Sequence, residues 1–142
     1  MLPHLDHDDA WALGSSLVGL GRERGLAITV DVRRHGHQLF HAALAGTTPE
    51  NDAWVERKAA VVQRFSASSY LVGRRLAARG AALDGALGVD PAAFAAHGGS
   101  FPLRVAGTGV VGAVTVSGLA QADDHALVVE ALEALLDDRP AG

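Results

Sequence analysis

Apolar side chains recur at three-to-four-residue steps along residues 51–79. Trp54, Val61, Val62, Phe65, Val72 and Leu76 form one stripe, which is the period of a single helix face. Ahead of it, Thr48 is a favourable N-cap, Pro49 suits the first helical position and Glu50 suits the positive end; Gly80 offers a stop after Arg79. The rest of the chain divides into shorter pieces. A first helix is predicted from Asp8 or Asp9 to about Arg24, ended by Gly25. The β-branched run from Leu26 to Val32 predicts a strand, Arg33-Arg34-His35-Gly36 predicts a turn, and His37 to Leu44 returns as the hairpin partner. Residues 80–90 predict at most a short helical turn, and Asp90 and Pro91 open a brief helix over residues 92–96. Phe101 to Ala106 and Val110 to Ser117 read as strands about a glycine turn, and the glycines at 109, 112 and 118 imply close backbone approach. The last helix runs from Gln121 to Asp137 with Ala122, His125, Ala126, Val129, Leu132 and Leu136 on one face. The order α-β-β-α-(α)-β-β-α has hairpins and no βαβ alternation. It predicts an α+β fold, an antiparallel sheet flanked by helices, as a single domain over residues 1–142.

Composition narrows the function. Hydrophobic residues make up 49% of the chain but aromatics only 5%, so the core is built from Ala, Val and Leu, with 17 glycines pointing to tight packing. A net charge of −4, with no block of basic residues, argues against nucleic acid as a partner. Arg74, Arg75 and Arg79 fall at a predicted helix end, where cations complement the macrodipole. The absence of cysteine excludes disulfides, thiol nucleophiles and cysteine metal sites. The acidic beginning of the chain lacks a leader pattern, and no apolar run approaches the roughly 20 residues that span a bilayer. A cytoplasmic protein with no membrane partner is therefore expected.

One residue breaks the helical pattern. Lys58, the only lysine beside eleven arginines, projects from the middle of the apolar stripe, and Asn51, the only asparagine, and Ser69 share that face. A cation and two polar groups there need partners or a wet pocket. Lys58 is either a snorkelling stem that reaches a carbonyl or carboxylate, or an anion-binding or interface lysine in a half-buried pocket. Arg57 borders the stripe, where it can meet a carboxylate or a neighbouring subunit. The run Ser66, Ser68, Ser69, Tyr70 lowers helix propensity and would let another backbone approach.

Other motifs carry less. Gly107-Thr-Gly-Val-Val-Gly112 has dinucleotide-like spacing but leads into a strand rather than a helix, so that reading is rejected. His35, His37 and His41 share parity, yet a turn at His35 breaks their common face, and no metal site is expected. His97 precedes a double glycine and is either a helix-terminal cation or a pocket group. His125 lies in the first turn of the last helix on its apolar face; it is either an axial ligand, proton acceptor or hydrogen-bond donor, or a satisfied core histidine. On the helical wheel Asp124 points away from that face.

The stretches Ile28 to Arg34, Gly36 to Phe40, Gly46 to Trp54, Arg57-Lys58, Arg64-Phe65, Ser68 to Tyr70, His97 to Pro102 and Gly109 to Leu119, followed by Asp123-Asp124-His125, resemble the haem-degrading-domain (GlcG/HbpS-like) family, most closely its small uncharacterised branch. The resemblance spans about residues 26–132. It implies a profilin-like, antiparallel sheet of about five strands and assembly into dimers or larger rings. It also implies a small anionic ligand such as haem or a related tetrapyrrole. Asn51, Lys58, Ser69, Gly98, Gly99 and His125 would line the site with Arg57 nearby, Lys58 holding an anionic group and His125 making the polar or axial contact. Two alternatives accompany this reading: a homo-oligomeric interaction module with no ligand chemistry, and an enzyme acting on a small carbonyl or corrinoid compound through Lys58.

Overall fold

The computed structural model describes residues 1–138, so the last four residues of the expected domain lie outside it. Helix α1 (His7–Glu23) is followed by the hairpin β1 (Thr29–Arg34) and β2 (His37–Ala43), then helices α2 (Pro49–Phe65) and α3 (Ser69–Ala78). A 3-10 turn at Gly85–Leu87 leads to the hairpin β3 (Ser100–Val105) and β4 (Gly109–Ser117), and α4 (Gln121–Asp137) closes the order. The sheet is antiparallel with strand order β2-β1-β4-β3. It has four strands, not about five.

The alternation of apolar and polar residues in β1 and β4 gives the sheet two unlike faces. Val30, Val32, Val114 and Val116 point to one side, where they pack with Leu103 against Leu13 and Leu17 of α1 and Leu127, Val128 and Ala131 of α4. Thr29, Asp31, Thr115, Ser117 and Ser100 point to the other and are all buried, beneath α2. A buried polar face persists only where its groups find partners. Ser69 Oγ accepts from the Ser100 amide at 3.0 Å, and the Thr115 hydroxyl meets Ser100 Oγ at 2.9 Å, which ties α3 to the sheet.

Three expectations change. The helix predicted through residue 79 is two helices, because Ser66 takes the left-handed conformation (φ 53°) and Ser68 caps the next helix by accepting from the Leu71 amide at 3.0 Å. Residues 92–96 form no helix: a turn at 91–93 leads into irregular chain. The buried face of α4 is Asp124, Leu127, Val128, Ala131 and Leu132; Leu136 is 37% exposed. The predicted start of α2 stands: Thr48 caps it with Pro49 in the first turn, and Asn51 completes a capping box.

Candidate functional site

The first turns of α2 and α4 meet at the end of β4 and frame a cleft of about 370 Å³. Thr48, Glu50 and Asn51 come from α2, Gly118, Leu119 and Gln121 from the entry to α4, and Trp54, His97 and Ser117 complete the walls. Helix N-termini present backbone N–H groups and the positive end of the macrodipole. Here two 17-residue helices do so toward one space, and α4 has no side-chain cap at Ala120.

Lys58 and Asp124 lie at the floor. The Lys58 side chain is 4% exposed and its Nζ donates to Asp124 Oδ2 at 3.0 Å and to the Val116 carbonyl at 3.2 Å. Asp124 also accepts from the Leu119 amide at 3.0 Å, so the carboxylate closes the loop that enters its own helix. Burial pushes the Asp124 carboxyl above its ordinary range, while Lys58 and the Leu119 and Gly118 amides pull the other way. Asp124 and His125 do lie on different sides of α4, as the wheel placed them, but the buried side is that of Asp124 rather than that of His125.

Glycines make room for this pair. Gly99 has φ 140°, and a Cβ there would strike the Val116 carbonyl and come within 2.7 Å of Lys58 Nζ. Gly98 donates its amide to Gln121 Oε1 at 3.1 Å and has no room for a Cβ against the Gln121 carbonyl. Across the cleft, the His97 ring meets Trp54 edge-on at 5.2 Å, and the Arg57 guanidinium lies 4.7 Å from the centre of the Trp54 ring while donating to the Pro91 carbonyl at 3.3 Å.

Of the residues expected at the site, Asn51 and Lys58 line the cleft, and Gly98, Gly99 and Arg57 pack against residues that do. Ser69 and His125 are not among its lining residues. Ser69 is spent on Ser100. His125 stacks on Tyr70 (4.7 Å between centroids, 20° between planes) near Phe101, and its buried Nδ1 has no hydrogen-bond partner among the described residues. Burial lowers its pKa, because desolvation disfavours the charged ring.

A second polar cluster escaped the sequence reading. Asp31, fully buried, receives Arg33 Nε at 2.7 Å, Gln38 Nε2 at 2.6 Å and His41 Nδ1 at 2.9 Å. Arg33 goes on to Glu56 of α2 at 2.6 Å, which helps hold its own pKa far above the ordinary value. The signal for Asp31 was the strict alternation Thr29-Val-Asp-Val32, which puts its carboxylate on the same face as Thr29. His4, Asp6 and Asp9 also bring ligand atoms within 4.8 Å of one another, but Asp6 and Asp9 are engaged in the capping box of α1.

Residues 5–133 match the family model described as haem degrading protein HbpS-like. A UPF0303 protein of Streptomyces avermitilis is 59% identical over 132 residues, covering 93% of this chain and 81% of that protein. Among solved structures, that of the Ybr137w protein superposes with a TM-score of 0.87 at 27% identity, over 96% of this chain and 81% of the other. A PduOC:haem complex superposes with a TM-score of 0.78 over 92% of this chain and 94% of the other; at 18% identity this likeness is one of fold. No helix among the described residues is long and apolar enough to cross a membrane.

Proposed function

The chain belongs to the haem-degrading HbpS-like family, and from that premise we propose that it is a cytoplasmic homo-oligomer that binds a small anionic ligand, haem or a related tetrapyrrole, in the cleft between α2 and α4. The observation that carries this reading is the convergence of two helix N-termini and the Lys58 ammonium on one space. Asp124 offsets most of the Lys58 charge. The acidic group is therefore held by the helix ends and by the donor capacity the ammonium retains beyond its two acceptors, not by a free cation. Glu50 lines the rim too, but it is exposed and screened by water.

The residues present fit a carboxylated ring with a metal centre. His97 supplies an imidazole nitrogen, Trp54 an apolar face, and the uncapped first turn of α4 a place for a carboxylate. A bound haem would supply a redox-active iron whose behaviour follows its axial donor and surroundings. The chain's own part is to orient the ring through Trp54 and His97 and to anchor its acidic edge. The imidazole role moves from His125 to His97, because His125 lies between aromatic rings outside the cleft.

Hemin titrated into the apo protein is expected to shift the Soret band. His97→Ala should weaken binding by about tenfold or more, a loss of one good contact, and His125→Ala should leave it unchanged. No shift, or the same shift in His97→Ala, overturns the assignment. The second reading, an oligomeric interaction module without ligand chemistry, would place Lys58 at a subunit contact, whereas its partners are in its own chain and a cleft lies beside it. That reading requires intact assembly and no spectral response to hemin.

A further inference from the structure

A groove of about 500 Å³ shares no lining residue with the cleft. Phe65, at the end of α2, and Val72 and Leu76 of α3 form one side, and Leu83 and Leu87 from the segment after α3 form the other. The only polar side chains in the lining are Arg75 and Arg79. Neither has an ion-pair or hydrogen-bond partner among the described residues, whereas Arg24 and Arg33 each sit on a carboxylate. A third guanidinium, Arg64, lies 5.9 Å from the centre of the Phe65 ring and donates to the Leu87 carbonyl at 3.4 Å, so positive charge continues around the groove.

Position at the end of α3 accounts for basic residues there, since cations complement the negative pole of a helix. It does not account for an open apolar groove beside them with Leu87 38% exposed. We propose that this groove binds a long-chain carboxylate, with the methylene chain against Phe65, Val72, Leu76 and Leu83 and the acid head between Arg75 and Arg79. The lining decides the class of ligand. It offers side-chain hydrogen bonds at its guanidiniums and nowhere else, so a peptide or a sugar would leave its polar groups unpaired, while a methylene chain asks for none. Guanidinium forks match a carboxylate in shape and charge. At the negative pole of α3 the Arg79, Gly80 and Ala81 amides all donate to carbonyls of the last turn, so the holding of an anion falls to the paired arginines.

Calorimetric titration with dodecanoate below its micelle concentration tests this on the full chain. Dodecanol and dodecyltrimethylammonium serve as neutral and cationic controls. Dodecanoate is expected to saturate a single site per chain and the cation not to bind. The exposed pair of substitutions Arg75→Gln/Arg79→Gln should weaken dodecanoate by about tenfold or more, leave the weaker binding of dodecanol alone and preserve the circular dichroism spectrum. The proposal is overturned if dodecanoate does not bind, or if it binds like dodecanol in both proteins. It is equally overturned if hemin displaces dodecanoate one for one, which places it in the cleft, or if only anionic phospholipid vesicles bind.

Discussion

Lys58 and Asp124 satisfy each other inside the fold, and the energetics of such a pair are lopsided. Desolvating both charges cancels much of their attraction, but removing one leaves the other buried and alone. Lys58→Met should therefore lower the unfolding free energy by about 3 kcal/mol. Lys58→Met combined with Asp124→Leu should recover most of that loss, both read from urea unfolding. If the double variant is no more stable than Lys58→Met, the pair does not govern the site's stability. The lysine was legible in the sequence because it interrupts an apolar stripe. Its partner was not, because the apolar residues Ala122, Ala126 and Val129 set the expected face of α4 one position away from the face that is buried, on which Asp124 lies with Leu127, Val128 and Ala131.

At the scale of elements, the break at Ser66 separates the helix that frames the cleft from the helix that frames the groove. The break is held by the left-handed Ser66, by the Ser68 cap and by Arg104, which donates to the Ser66 carbonyl at 2.6 Å. A side chain pays a steric cost in that conformation, so Ser66→Gly should raise stability by about 1 kcal/mol. A drop instead of a rise in the chemical-denaturation midpoint would mean the serine side chain contributes more than its backbone costs. Most elements were readable from periodicity and caps: both hairpins, the start of α2 and the extent of α4 stand close to expectation. The break was not, since the apolar stripe runs on through Val72 and Leu76 as if one helix carried it. The first helix buries Val61 and Val62 and the second Val72 and Leu76, and periodicity does not register a single residue that changes the chain's direction.

At the scale of the molecule, several large apolar side chains remain outside any core: Trp11 at 66% exposure, Leu71 at 41% and Leu136 at 37%. Isolated exposed apolar residues are ordinary, but these accompany an edge strand, β2, whose outer side carries no further strand; at the other edge Leu2 bridges to Val105 and covers part of β3. In the proposed homo-oligomer such surfaces meet in symmetric contacts. Light scattering should return a mass that is a multiple of the 14.6 kDa chain. A monomer across micromolar concentrations would remove assembly from the reading without touching the cleft.

The two-faced sheet makes the protein divisible for an experimenter. Val30, Val32, Val114 and Val116 look toward α1 and α4, while Asp31, Thr115 and Ser117 look toward α2. Alternate codons of the same two strands thus answer to different constraints. Changes at the valine positions have to preserve volume, whereas changes at the intervening positions have to preserve hydrogen bonds. Only Ser117 of the second set also borders the cleft, so redesign of recognition on these strands begins there.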